Sequence, residues 1–133
     1  DLRSDDGAGR VVADRIGQMD LPGVAVRSLS QLTPALALDI AAVDTVVFVD
    51  ASIDVTETTV GPLPTQPVGS SPGSHFADPG VLLGMTATVG SIPERAFLVS
   101  IPVADLGLGL ELSPVSEMGV GRAVELVTDL IWE

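Results

Sequence analysis

The sequence contains no cysteine, no lysine and no tyrosine, and it has a single histidine among its 133 residues. Without cysteine there is no disulfide, thiolate ligand or cysteine nucleophile, so any metal must be held by carboxylate, imidazole or water. Aromatic residues amount to 3%, so the core must consist of Val, Leu, Ile and Ala, which suits helices packed on a Val-rich sheet. The side chains left for catalysis or metal binding therefore act through oxygen or nitrogen atoms.

Positive charge is also scarce. The sequence has six arginines and 18 acidic residues, which gives a formal net charge of -12. Such a surface repels phosphate backbones and anionic lipid, which argues against nucleic acid and membranes as partners. It favours a partner that is basic or that carries a metal. No apolar run is long enough to cross a bilayer and the acidic start is unlike a signal peptide, so we expect a cytoplasmic protein.

The length and the hydrophobic content of 46% predict one domain over residues 1–133. Apolar spacing and Pro/Gly breaks predict alternating helices and strands. The predicted helices run from Gly7 to about Met19, from Thr33-Pro34 to before Asp44, from Asp78-Pro79-Gly80 to Val89, and from Ser113-Pro114 to Ile131; the predicted strands are Val24–Leu29, a buried central parallel strand from Thr45 that closes on Asp50, and Ala96–Val103.

This order predicts an α/β fold, a three-layer sandwich in which a mostly parallel sheet has helices on both faces. A capped helix that begins at Gly7 normally follows a strand, so we expect a first strand before residue 1. The segment from Ser52 to about Gly80 is rich in proline and poor in apolar residues. It is predicted to be a functional loop, a partly extended edge strand or a mobile lid.

Three side chains are candidates for a site at the carboxyl edge of this sheet, where open α/β sheets bind their ligands. Asp6 precedes the first helix, Asp50 ends the Val-rich strand, and His75 lies in the loop that follows. Two carboxylates and one imidazole suit a divalent transition metal with open positions for water or substrate.

Each of these residues also has a plainer interpretation. Ser4, Asp5 and Asp6 stand where N-cap and first-turn residues belong, aspartates often form turns at strand ends, and a lone histidine in a Gly/Ser/Pro loop is usually solvated. Spacing alone therefore leaves the metal site a minority hypothesis.

The sequence resembles the hydrogenase maturation endopeptidases, which trim the C-terminal extension from the large-subunit precursor of nickel-iron hydrogenases. The segment from Leu2 to Val12, LRSDDGAGRVV, is similar to the family signature L-x-x-D-[DE]-G-x-G-x-x-V. The resemblance continues through Val47–Ala51 and Ser74-His75 and ends at Leu112–Val115, which is similar to L-[ST]-P-x-V.

The resemblance implies an α/β sandwich and a metal-binding trio of Asp6, Asp50 and His75. It also implies that these groups contact nickel already loaded in the precursor, so that the metal is carried by the substrate, although another divalent metal is compatible in vitro. Asp6 or Asp50 is the expected general base for peptide hydrolysis, and Asp5 is the expected cap. Gly7 and Gly9 leave room beside Asp6 for another backbone.

We expect a monomer whose partner is the hydrogenase large-subunit precursor, with the precursor tail covered by the Ser52–Gly80 segment or added to a sheet edge. Two other functions stay open from the residues. One is a non-enzymatic metal-binding or precursor-holding module. The other is a small-molecule hydrolase, which would have a closed apolar pocket rather than an open groove.

Overall fold

The computed structural model describes residues 7–28, 33–52, 54–65, 79–102 and 114–132. These residues form a mixed α/β structure with a small sheet, so the predicted α/β class is confirmed. The helices are α1 (Ala8–Gln18), α2 (Leu36–Ala41), α3 (Pro79–Val89) and α4 (Pro114–Trp132); the strands are β1 (Thr45–Ser52), β2 (Thr59–Pro62) and β3 (Arg95–Pro102).

The three strands are ordered β1-β3-β2. The N–H of Arg95 donates to the carbonyl of Asp44 at 3.1 Å, so β1 and β3 begin side by side and run parallel. The N–H of Leu63 donates to the carbonyl of Ala96 at 2.9 Å, so β2 ends where β3 begins and runs antiparallel to it. Among the described residues, β2 therefore lies at an edge of the sheet, and an edge strand is one of the three alternatives predicted for the proline-rich segment.

The described chain divides into two compact units, each of which includes part of the strands. In the first unit α1 packs against α4. The buried side chains recur at helical spacing on both helices, because only one face of each is turned to the core. The buried helical side chains are Ala8, Val12 and Ile16 on α1 and Val120, Ala123 and Val127 on α4. Val99 and Ile101 on β3 are buried in the same unit.

In the second unit α2 packs against α3. Ala37 and Ile40 of α2 meet Leu82 and Leu83 of α3 in a buried cluster, which Phe48 of β1 also contacts. The buried hydroxyl of Thr86 donates to the Leu82 carbonyl at 2.9 Å, so this polar group is satisfied within its own helix. A backbone turn precedes α2, since the N–H of Leu36 donates to the carbonyl of Thr33 at 3.1 Å.

Several sequence-based expectations are corrected. Residues 24–28 carry no strand, although their pattern is β-like; the N–H of Val24 makes a turn bond to Leu21 at 3.3 Å, and a strand requires a ladder with a neighbour. The predicted buried residues Met118 and Val89 are 78% and 52% exposed, because hydrophobicity alone does not tell which helix face meets the core. Met19 and Val115 are also exposed.

Among the described residues, β3 rather than β1 has the central position in the sheet. The side chains of β1 are half-buried, apart from the exposed Asp50, whereas its continuous apolar run predicted a strand covered on both faces. The three-layer arrangement, a strand before residue 1 and the single domain stay predictions. None of the described helices combines the length and the apolar character required to cross a membrane.

Candidate functional site

Asp50 lies on β1, and its side chain is exposed. The strand runs two residues beyond it to Ser52, so Asp50 is near the end of the strand rather than at the end. Its Oδ1 accepts a hydrogen bond from the N–H of Ala51 at 2.9 Å. An exposed carboxylate on a hydrogen-bonded strand has a fixed backbone and an accessible charge, which suits a metal ligand or a general base.

The first turn of α1 lies directly against this part of β1. A Cβ atom built on Gly9 would overlap the carbonyl oxygen of Val49 and would stand 3.2 Å from its carbonyl carbon and 3.7 Å from the Cα of Asp50. Only glycine permits this approach of helix and strand backbones. A backbone does approach Gly9 closely, as predicted, and it is that of Val49 and Asp50. That this approach lies beside Asp6, and that Gly7 has the same role, stay predictions.

The start of α1 is described from Gly7 onward. Gly7 occupies the N-cap position without a side-chain cap, and the first turn of α1 contains no acidic residue. Ser4, Asp5 and Asp6 lie outside the described residues, so their capping and metal-binding roles stay predictions. The N-terminal end of a helix favours negative charge nearby, and Val49 and Asp50 lie against this first turn.

Arg10, which sequence reasoning passed over, follows Gly9 on α1. Its Nε is buried, and the structure gives this nitrogen no hydrogen-bond acceptor within the part of the chain that it describes. Its backbone carbonyl accepts a long hydrogen bond from the Ser28 hydroxyl at 3.5 Å. No sequence pattern marks this residue, because its burial depends on the packing of α1.

The predicted metal trio is represented here by Asp50 alone, since Asp6 and His75 fall outside the described residues. Within the ranges that the structure does describe, no three carboxylate or imidazole side chains gather in a group that could hold a metal. The donor set of two carboxylates and one imidazole fits a divalent transition metal by its chemistry. The identity of the metal and its contact with all three side chains stay predictions.

An open groove of about 360 Å³ lies in the second unit, and Asp50 is not among its lining residues. Its walls are mostly apolar, and it is open to solvent rather than enclosed. A small-molecule hydrolase would be expected to enclose its substrate. The groove is lined by Pro62, Leu63, Pro64, Thr65, Leu83, Ile92, Pro93, Glu94, Arg95, Ala96 and Phe97.

No protein-family model matches this sequence, and no curated protein matches it significantly. Its structure is similar to solved structures. The hydrogenase maturating endopeptidase HybD from E. coli has a TM-score of 0.75 and 19% identity, over 95% of this chain and 83% of that one. The [NiFe] hydrogenase maturation protease HycI from Thermococcus kodakarensis has a TM-score of 0.75 and 23% identity, over 100% and 87% of the two chains.

A third similar structure is the hydrogenase 2 maturation peptidase from a Thaumarchaeota archaeon, with a TM-score of 0.69 and 24% identity over 98% of this chain and 91% of that one. At these identities the likeness concerns the fold. The chain thus shares its fold with these three proteins along nearly its whole length.

Proposed function

We propose that this protein is an endopeptidase that removes the C-terminal extension of a nickel-loaded hydrogenase large-subunit precursor. The observation that carries the proposal is the contact of Gly9 with Val49 and Asp50. It joins the DDGAG segment to the Asp50 strand, as a shared site requires. The fold held in common with HybD and HycI, both named for hydrogenase maturation, supports the same function.

Chain connectivity limits how far the second carboxylate can lie from this contact. Asp6 is three residues before Gly9, and successive Cα atoms are about 3.8 Å apart, so their Cα atoms are within about 11 Å of each other. Since Gly9 lies against Asp50, this upper limit does not prevent Asp6 from sharing a metal ion with Asp50. In this proposal Asp6, Asp50 and His75 contact the nickel that the precursor carries.

The proposed role of the nickel is to orient the precursor so that its scissile bond lies beside the enzyme carboxylates. One carboxylate, Asp50 or Asp6, removes a proton from the attacking water, which adds to the peptide carbonyl. The C–N bond then breaks, and the leaving nitrogen takes up a proton as the new amine. Because nickel belongs to the substrate, a precursor without the metal is not correctly placed and is not cut.

The test uses purified precursor, with and without nickel, from the organism that encodes this protein. The mass of the large subunit is measured by mass spectrometry after incubation with wild-type protein, Asp50→Asn or Asp54→Asn. Asp54 is a matched control, since it is an exposed aspartate four residues after Asp50. We expect cleavage only of nickel-loaded precursor, a loss of at least about 100-fold in rate for Asp50→Asn, and no change for Asp54→Asn.

Asp50→Asn keeps an Oδ1 acceptor for the Ala51 N–H, so this hydrogen bond to the strand backbone is retained when the charge is removed. If wild-type protein binds the loaded precursor tightly without cutting it, the protein is a precursor-holding module instead. If the loaded precursor is neither bound nor cut, or Asp50→Asn cuts it as fast as wild type, the proposed function is wrong.

A further inference from the structure

A hydrogen bond joins two distant parts of the chain close to Asp50. The hydroxyl of Thr58 donates to the carbonyl of Gly119 in α4 at 2.8 Å, and 61 positions of sequence separate the two residues. Thr58 directly precedes β2, so this bond attaches the end of the segment that connects β1 with β2 to α4. The described part of that segment after β1, residues 54–58, is called the connecting segment below.

The attachment point on α4 lies against the strand that neighbours β1. A Cβ built on Gly119 would stand 2.8 Å from Ile101 Cγ2 and 3.1 Å from Thr58 Oγ1. The parallel strands β1 and β3 begin side by side, and Asp50 and Ile101 are the sixth and seventh residues of these strands. The two residues are therefore nearly level on strands about 4.8 Å apart. Thr58 is thus held close to the strand position beside Asp50, and all four residues belong to the first unit.

The other end of the connecting segment is fixed as well. The N–H of Asp54 donates to the hydroxyl of Ser52 at 3.1 Å, two residues beyond Asp50. Between the two attachments, Thr56 and Glu57 are exposed. A precursor tail that brings its scissile bond to Asp50 therefore has the connecting segment beside it.

We propose that Thr58 is a positioning residue for precursor cleavage, which fixes the connecting segment as one wall of the site at Asp50 through its bond to Gly119. This inference rests on the proposed function for the identity of the substrate. A wall that is fixed beforehand loses little conformational entropy when the precursor binds, whereas a mobile wall must be ordered at the expense of affinity. Asp50 itself is part of β1. Loss of the Thr58 bond is therefore expected to raise KM and to leave kcat nearly unchanged.

The test compares Thr58→Val, which removes the hydroxyl, with Thr58→Ser, which keeps it. Thr128→Val is the matched control, since the Thr128 hydroxyl also donates to a carbonyl of α4, that of Val124, at 2.7 Å. Thr128 lies nine residues beyond Gly119, which is about 14 Å along the helix. Binding of nickel-loaded precursor to the immobilised full chain is measured together with KM and kcat for cleavage. We expect Thr58→Val to weaken binding and raise KM about tenfold, with kcat changed by less than about twofold, and the other two variants to behave as wild type.

Hydrogen exchange of the free protein tests the attachment separately from activity. Exchange of the amides of residues 54–58 is measured by mass spectrometry. We expect it to be at least about fivefold faster in Thr58→Val than in wild type or Thr128→Val. Thr58→Ala replaces Thr58→Val in every measurement if the valine variant unfolds. Unchanged exchange would show that the bond does not hold the segment, and an unchanged KM would overturn the positioning role even if wild type cuts the precursor.

The same measurements separate this proposal from the proposed function. If wild type binds the loaded precursor without cutting it, and Thr58→Val weakens that binding, the fixed wall stands and the endopeptidase function fails. If wild type neither binds nor cuts the precursor, the proposed function is wrong. The role of Thr58 in precursor binding then fails with it, whatever the exchange rates are.

Discussion

Gly9 and Val49 are in backbone contact, such that any side chain on Gly9 would overlap the carbonyl oxygen of Val49. This contact joins the first turn of α1 to β1 one residue before Asp50. A backbone carbonyl within a hydrogen-bonded strand cannot rotate away as a flexible side chain can. The close approach of the start of α1 to Asp50 therefore depends on the absence of a side chain at Gly9.

Gly9→Ala is expected to lower the free energy of unfolding by about 1–3 kcal/mol, because the clash outweighs the gain in helix propensity. Precursor cleavage is expected to fall at least about tenfold even in folded protein, since the site is displaced. Gly17→Ala in the same helix is the control. A Cβ there meets only Val26 side-chain atoms at 3.9 and 4.0 Å, so this change should stabilise by about 0.5–1 kcal/mol. Urea denaturation measures both, and equal effects would contradict the packing described.

Helix α4 offers a second matched pair of glycines. A Cβ on Gly119 would lie 2.8 Å from Ile101 Cγ2 and 2.9 Å from Pro102 Cδ, whereas a Cβ on Gly121 would meet nothing within 4 Å. The Gly119 carbonyl also accepts a hydrogen bond from the Thr58 hydroxyl at 2.8 Å. Gly119→Ala should destabilise by about 1–3 kcal/mol and Gly121→Ala should stabilise by about 0.5–1 kcal/mol, as measured by thermal unfolding. A stabilising Gly119→Ala would show that α4 does not pack closely on β3.

The features that sequence reasoning predicted well have local causes. The runs from Thr45 and from Ala96 are β-branched and apolar, and they form β1 and β3 within one residue of the predicted starts. Pro114 begins α4 as predicted, because proline at a first helical position loses no hydrogen bond. The position of Asp50 near a strand end follows from the same local pattern.

The features that were missed depend on contacts between distant segments. Residues 24–28 have a strand-like composition, but no composition supplies a ladder partner. Gly119 and Gly121 carry the same signal in the sequence, and only the packing of α4 on Ile101 separates them. A backbone close to Gly9 was predicted, because this glycine lies three residues after the candidate site residue Asp6, but the sequence did not identify that backbone as β1. Asp6 and His75 lie outside the described residues, so two of the three candidate ligands rest on the sequence.

Arg10 permits a prediction about stability. Its Nε is buried without an acceptor among the residues that the structure describes, and a buried unpaired donor costs about 1–3 kcal/mol. Arg10→Met keeps most of the aliphatic volume and removes that donor, so the free energy of unfolding should rise by about 1 kcal/mol. The control is Arg27→Met, an exposed arginine whose Nη1 donates only to the adjacent Val26 carbonyl at 3.2 Å. A clear loss of stability in Arg10→Met alone would mean that its guanidinium has a stabilising partner.

Pro62 ends β2 and Pro64 follows two residues later; because the N–H of Leu63 between them donates to Ala96 of β3, both prolines face away from β3. Among the described residues this side of β2 is an edge of the sheet, and the two prolines should protect the protein from self-association. Exposed edge strands with free N–H groups are templates for pairing with other chains, and proline removes those groups. The double change Pro62→Thr and Pro64→Thr restores two donors beside Val60, which is 40% exposed, on a strand composition that favours pairing. We expect the variant to form dimers and larger species at concentrations where wild type does not, as measured by size-exclusion chromatography with light scattering. Pro22→Thr, in an exposed turn after α1, removes a proline away from the edge and should leave the elution unchanged. Unaltered elution of the double variant would mean that the side chains at this edge, rather than its missing donors, prevent pairing.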